Sequence, residues 1–341
     1  MTARKLRTVL VGFGAIAEGL SRDRRMARYF RYATHAQVLA DHPRFDWIAT
    51  VDPDRKARER ARRWPGGKVV GDVSEIAALG PEVAVIAGPP EMRLECLRQL
   101  PSLRAVMVEK PLGQDLASAR RFVAACARRR IRVQVCLWRR GDASFRRLAE
   151  PRTRARRLGK IQAAFGLYGN GLRNNGVHLV DFLRMQAEDI VAVQALGPAR
   201  TVPHAPLHGD VAVSLALTLA GGAVATLQPV DFSAYREVAL DLWGTRGRRS
   251  FFQESLYVAE YPLRANRGIA RASEIVADAP RVMANTVGTA LWNLYGNLAD
   301  ALQGRAALWS DGDNALVAEA VVDAAWRSAA SGGRLVRLGA R

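Results

Sequence analysis

Apolar and polar positions change period twice along this chain. Over the first 137 residues, short apolar runs recur at Val9–Val11, Phe45–Val51, Lys68–Val70, Val83–Ala87, Ala105–Val108 and Arg132–Leu137. Between them lie stretches with the three-to-four-residue apolar spacing of helices, Glu91–Leu100 and Asp115–Arg129 among them. Repeated strand and helix at this spacing predicts a doubly wound parallel sheet covered by helices on both faces. After Trp138 the rhythm is different. A basic helical stretch, Asp142–Leu158, precedes a strand at Lys160–Tyr168 and then the segment "GNGLRNNGVHLVDFLRMQ". Four alternating segments follow, "DVAVSLALTLAGG", "AVATLQPVDFSA", "REVALDLWGTRGR" and "RSFFQESL", with glycine turns at Gly221-Gly222 and Gly244–Gly247. These suit antiparallel strands, and two helices, Thr286–Leu302 and Asn314–Ala330, close the chain. The expected class is α/β: a parallel-sheet domain over residues 1–138, then an α+β domain over 139–341 with a large, mostly antiparallel sheet.

The first strand ends in Gly12-Phe13-Gly14-Ala15-Ile16-Ala17, a G-x-G-x-x-A turn. Gly12 permits the tight turn, Gly14 lets backbone approach a pyrophosphate, and Ala17 lets the next helix pack closely. That helix's N-terminus offers N–H groups to phosphate. Asp52 closes the second strand, where a carboxylate accepts both ribose hydroxyls of a dinucleotide and repels a 2′-phosphate. It lies farther from Gly12 than the usual spacing, and residues 18–33 account for the excess as a longer or broken first helix. Arg55 and Lys56 soften the exclusion of the 2′-phosphate, so NAD is expected and NADP stays open. With these elements the first domain reads as a Rossmann fold.

The formal charge of +19 raises the question of nucleic acid. Its arginines are spread along the whole chain, with no zinc-finger spacing, no aromatic-interleaved basic strand and no basic tail, so specific nucleic-acid binding is not expected. No window reaches the roughly 20 apolar residues of a membrane-spanning helix. The apolar stretch near the N-terminus is too short for a signal peptide and runs into a glycine turn, so the expectation is a cytoplasmic protein. Cys96, Cys126 and Cys136 lie in apolar segments and read as reduced core residues; no metal site is apparent.

Only five of the 51 basic residues are lysine: Lys5, Lys56, Lys68, Lys110 and Lys160. Lys110 stands in Glu109-Lys110-Pro111 at the end of the fifth strand, on the edge where such sheets bind ligands. Unlike arginine, a lysine is a compact ammonium whose proton affinity burial can tune. Downstream, Asn174-Asn175-Gly176-Val177-His178-Leu179-Val180-Asp181 places Asn174, His178 and Asp181 on one face if an asparagine caps the helix. Hydride transfer at a carbinol carbon needs a proton moved at its oxygen, for which an imidazole is suited, and a lysine on the same oxygen stabilises developing charge.

The combination of the glycine turn, Asp52, E-K-P and a downstream G-x-H-x-x-D resembles the Gfo/Idh/MocA family of nicotinamide-dependent oxidoreductases over nearly the whole chain. The resemblance implies NAD held by Gly12, Phe13, Gly14, Ala15, Ile16, Asp52 and Glu109, with Lys110 and His178 as the active-site pair. It implies a carbohydrate-like substrate (a sugar, nucleotide sugar or cyclitol) contacted by Asn174, Tyr168 and Asp181, and a homodimer or homotetramer. Asp181 either fixes the imidazole tautomer or pairs with Arg184. Many members carry aspartate where this chain has Asn174; those acting on nucleotide-linked amino-sugar acids have asparagine. Arg93 stands where a histidine is common and reads as a surface residue. His35, His42, His204 and His208 read as structural or surface, and Arg139, Arg140 and Arg173 as solvated charges. The alternative from another class is a sensor or scaffold that binds nicotinamide without turnover.

Overall fold

The structure, a computed structural model, describes residues 4–203, 205–276, 280–284 and 286–339; His204 lies outside them. It divides into two units, Met1–Asp142 with Val287–Leu316, and Ala143–Thr286 with Val317–Arg341. The expected cut after residue 138 therefore has to be corrected, because residues 287–316 return to the first unit. The reason is apolar. Leu291, Leu294, Tyr295 and Leu298 of the helix Ala290–Leu302 share a buried cluster with Leu10, Phe13, Val83 and Met107.

The first unit holds six strands, β1 (Leu6–Val11), β2 (Phe45–Val51), β3 (Lys68–Val70), β4 (Val83–Ile86), β5 (Ala105–Val108) and β6 (Arg132–Val135), in the order β3-β2-β1-β4-β5-β6. All five pairings are parallel. Alternate residues feed opposite faces: Val9 and Val11 meet Phe122 and Leu97 on one side, and Leu10 meets Ala36, Leu39 and Tyr295 on the other. Along this stretch of the chain the strands are joined by the α-helices α1 (His35–Asp41), α2 (Arg55–Ala61), α3 (Arg93–Gln99) and α4 (Leu116–Arg128), and the helix Ala290–Leu302 joins them from later in the chain. Asp115 caps α4 by accepting from the Ser118 N–H, which is why that helix starts one residue inside the expected range.

Residues 18–33 resolve as a broken helix. One turn after Gly14 leads into short 3₁₀ segments at Gly19–Arg22 and Met26–Arg28, and α1 starts only at His35. Thr34 and Gln37 form a capping box there. The restart still closes on the glycine turn, since Ala36 N–H donates to the Ala17 carbonyl at 2.9 Å.

The second unit begins with α5 (Ala143–Ala149) and α6 (Pro151–Arg157), where one helix was expected; Pro151 takes the first position of α6 and interrupts the run. Then come β7 (Ile161–Tyr168), a π-turn at Leu172–Gly176 and α7 (Val177–Gln186). The remaining strands are β8 (Ile190–Ala195), β9 (Arg200–Thr201), β10 (Val211–Ala212), β11 (Leu215–Leu219), β12 (Val224–Pro229), β13 (Ala239–Gly244), β14 (Gly247–Phe252), β15 (Tyr257–Ala265), β16 (Ser273–Ile275), β17 (Arg281–Ala284) and β18 (Val336–Arg337). The large sheet runs β16-β15-β14-β13-β7-β12-β11-β8-β18, with β17 on β15 and β9-β10 as a separate ribbon. Only β7 and β12 pair in parallel among its described pairs. Phe145, Phe182 and Phe251 form an aromatic core behind it, ring centroids 4.7–5.4 Å apart. Among the described residues, no helix is long and apolar enough to cross a membrane.

Candidate functional site

The glycine turn is built as its spacing implies. Gly12 has φ +90°, and a Cβ there would lie 2.7 Å from the Gly88 backbone nitrogen, so no other residue fits. A Cβ on Gly14 would meet no protein atom within 4 Å, so the space over that residue is open. Phe13 is fully buried and stacked on Trp47, so it turns only backbone outward. Its N–H donates to Asp52 Oδ2 at 2.6 Å, and Asp54 N–H donates to Oδ1 at 2.8 Å. Asp52 and the turn are thus in direct contact despite their long separation. Arg58 donates from its guanidinium to the Asp52 carbonyl at 2.8 Å. Arg55 instead pairs with Glu59 in solvent. An open cradle at Gly14 with a carboxylate beside it fits a dinucleotide, held by the turn's backbone and by Asp52.

Val11, Ile86 and Val108 are in register across β1, β4 and β5. The glycine turn and Glu109-Lys110 therefore leave the sheet at one level, two strand spacings or roughly 10 Å apart. The peptide between Lys110 and Pro111 is cis. Arg93 corrects the surface expectation. It is 1% exposed, and its guanidinium donates to the carbonyls of Glu109, Pro111 and Leu112. A rigid fork of donors latches the loop that carries Lys110.

His35 is also buried. Its Nε2 lies 3.1 Å from Glu109 Oε1 and its Nδ1 2.8 Å from the Tyr295 hydroxyl. Cys136 Sγ stands 4.0 Å from Nε2, and the donor atoms of His35, Glu109 and Cys136 all lie within 4.8 Å of one another. Burial raises the Glu109 carboxyl's proton affinity, but the His35 hydrogen bond, the charge of His35 when protonated, the Lys110 charge and the Cys136 thiol outweigh it and hold it below the usual carboxylate range. Burial, then the Glu109 charge, pushes the Cys136 thiol well up, and burial does the same for the Tyr295 phenol. The other cysteines, Cys96 and Cys126, are buried and free, as expected. Arg139 is buried too, with its guanidinium over the Trp138 ring at 4.3 Å, where a solvated charge was expected.

In the second unit, α7 starts at Val177 with no side-chain cap. Asn174 therefore precedes the helix, inside the π-turn closed by Gly176 N–H on the Gly171 carbonyl at 3.1 Å. Asp210 supplies the missing cap from a distant strand end. Its carboxylate accepts from the N–H groups of Arg173 (3.1 Å), Asn174 (2.8 Å) and Val211 (2.9 Å). His178 lies in the first turn of α7 and is 8% exposed, with Asp181 one turn on and buried. Arg184 reaches Asp181 at 3.8 Å and Asp189 at 2.8 Å. Tyr168 is fully buried, and its hydroxyl donates to the Val213 carbonyl at 2.7 Å and accepts from the Val213 N–H at 2.9 Å. Sequence reading missed Arg93, Asp210 and the role of His35. Each acts on residues 16 to 74 positions away, and no local spacing marks them.

A dinucleotide cradle on a doubly wound sheet, followed by a unit built on a broad antiparallel sheet, defines the class of two-unit nicotinamide oxidoreductases. Family models agree with that class: "Oxidoreductase family, NAD-binding Rossmann fold" matches residues 6–137, and "GFO/IDH/MocA C-terminal domain" matches 140–250. The chain belongs to the Gfo/Idh/MocA family, and its cofactor is NAD. No curated protein matches it in sequence. Among solved structures, an Agrobacterium radiobacter oxidoreductase in complex with NAD+, L-tartaric acid and magnesium is 17% identical, covers 98% of each chain and has a TM-score of 0.74. The WlbA dehydrogenase of Bordetella pertussis, with NADH and UDP-GlcNAcA, is 20% identical over 99% of this chain and 100% of that one, TM-score 0.73. The super-repressor mutant of Gal80p from Saccharomyces cerevisiae is 14% identical over 98% and 97%, TM-score 0.72. At these identities the likeness is one of fold.

Proposed function

We propose that the protein oxidises or reduces a secondary alcohol or ketone carbon on a sugar, nucleotide sugar or cyclitol, with NAD as redox partner. The observation that carries this reading is the level register of the glycine turn and the latched Glu109-Lys110 loop at the carboxyl ends of β1 and β5. When bound, NAD accepts or supplies the hydride at its nicotinamide ring. Gly12, Phe13, Gly14, Ala15 and Ile16 hold it through backbone, with Asp52 on a ribose and Glu109 behind the loop.

Lys110 hydrogen-bonds the reacting oxygen and stabilises its developing charge, and His178 takes the oxygen's proton in oxidation and returns it in reduction. Asn174 orients neighbouring hydroxyls. Asp181 backs the first turn of α7, and Tyr168 supports the segment through its ring, since Val213 holds its hydroxyl. Two similar structures carry a nucleotide sugar acid and a hydroxy acid, in keeping with a polyhydroxylated, anionic substrate. Phe165, Val224 and Trp243 lie exposed on the neighbouring strands β7, β12 and β13, and that apolar face supports assembly as a homodimer or homotetramer.

Lys110→Met tests the reading. Turnover on a panel of sugars and nucleotide sugars falls by 10²–10⁴, while NADH affinity by fluorescence titration stays within about threefold. Turnover unchanged by the substitution overturns the role of Lys110. The sensor alternative predicts NADH binding with no turnover in the parent protein, and it leaves the latched lysine without a task.

A further inference from the structure

We infer that His35 is a positioning residue: held between Tyr295 and Glu109, it fixes the Glu109 carboxylate behind Lys110 by donating from Nε2. The consequence for chemistry rests on the redox function proposed above; the hydrogen-bonding order does not.

The argument begins with cost. The Glu109 side chain is 13% exposed and His35's is 1%, and an ionised carboxylate at such depth is expensive unless donors surround it. Among the described residues, groups on three elements face it. On its own strand end there is Lys110, whose charge helps hold the carboxyl ionised; after β6 there is Cys136, which stays a thiol; from α1 there is His35 Nε2. Arg93 of α3 is committed to backbone carbonyls, Glu109's among them. His42, the second histidine of α1, faces Trp292 and stands 6.4 Å ring to ring from Tyr295.

Direction follows from proton inventory. An ionised Glu109 only accepts, so Nε2 donates to it. In the neutral imidazole Nδ1 is then the acceptor, and Tyr295, whose phenol burial keeps protonated, donates to it. The chain Tyr295 O–H to His35 to Glu109 has one orientation: the carboxylate selects the tautomer, and the tyrosine satisfies the other ring nitrogen. This also gives two odd features of the fold a purpose. The segment 18–33 ends in the capping box that starts α1 at His35. The helix Ala290–Leu302 returns to the first unit and delivers Tyr295.

The test uses full-length protein labelled with ¹⁵N-histidine, His35→Gln assigning the resonance. The expected result at pH 8 is a proton on Nε2 of neutral His35 in the parent, and loss of that preference in Glu109→Leu, which removes the acceptor. A proton on Nδ1, or an even mixture in the parent, overturns the inference. The ¹³C carboxyl signal of Glu109 gives a second measurement. Its midpoint rises by at least one pH unit in His35→Leu and returns towards the parent in His35→Gln, whose amide also donates. An unmoved midpoint in His35→Leu overturns it, and if that variant fails to fold, the parent's tautomer measurement decides alone. Stoichiometric zinc in purified protein, lost in Cys136→Ser, also overturns it, because a metal on Nε2 displaces the proton.

With an active substrate, the acid limb of the turnover profile moves up in His35→Leu; a loss uniform across pH marks a merely structural role and overturns positioning. The expected tautomer with no turnover on any substrate leaves His35's bonding intact and rejects the redox function instead.

Discussion

Gly12 and Gly14 look alike in the motif, but space separates their duties. An alanine at 12 must adopt positive φ and collide with Gly88, so Gly12→Ala destabilises the first unit. Gly14→Ala meets no protein atom within 4 Å and leaves the unfolding free energy within about 0.5 kcal/mol of the parent, while NADH affinity drops because the new methyl intrudes on the pyrophosphate's approach. Urea unfolding and NADH titration on both variants separate these effects. Tyr168 makes the opposite point. Its hydroxyl is fully engaged by Val213 inside the core, so Tyr168→Phe leaves a buried N–H and carbonyl short of a partner and costs about 1–3 kcal/mol, read by urea unfolding. Residue type and position were enough to place Gly12 and Gly14 in a tight turn and Asp52 at a strand end beside it, because strand, turn and strand end are local features. The same reasoning placed Tyr168 near the substrate and could not see Val213, 45 positions downstream.

Among elements, α1 shows how a short helix acquires chemistry from its surroundings. His42 at its end accepts a hydrogen bond from Arg44 N–H at 3.3 Å and packs against Trp292 and Phe45, ring centroids 4.3 and 5.0 Å away. Burial, then the Arg44 charge, lowers its pKa from 6.5 to about 4. The unfolded chain therefore binds a proton in that window that the folded chain refuses. This contribution to stability is fully present above pH 6.5 and is lost as pH falls from 6.5 towards 4, roughly 3 kcal/mol at most. Urea unfolding at pH 7 and pH 5 checks it: the parent loses stability at pH 5, and His42→Asn, which cannot titrate, loses correspondingly less. Element boundaries were legible where the start signal was a residue, as at Asp115. They were not where the signal came from elsewhere: the π-turn before α7 depends on Asp210, and nothing within the Asn174–Asp181 segment announces it.

For the whole molecule, the large sheet of the second unit leaves Phe165, Val224 and Trp243 in solvent on three neighbouring strands, each 38–47% exposed. If copies of this chain cover that face, Trp243→Glu buries an unpaired charge and shifts sedimentation towards the monomer, with NADH affinity of the first unit unchanged. A parent that sediments as a monomer rejects the assembly. The two-unit plan itself was readable from the change of hydrophobic period near Trp138, because strands buried on both faces and strands buried on one face leave different patterns. The membership of residues 287–316 was not readable, since an amphipathic helix carries the same stripe whichever core receives it.

Sequence alone determined the sheet types, the dinucleotide turn, its acidic partner and the lysine of the E-K-P loop, all of which depend on residues a few positions apart. Tertiary structure alone decided what surrounds them: Arg93 on the loop carbonyls, Asp210 on the π-turn, and His35 between Tyr295 and Glu109. Buried polar groups must find partners wherever the fold brings them, and local order along the chain carries no record of that search.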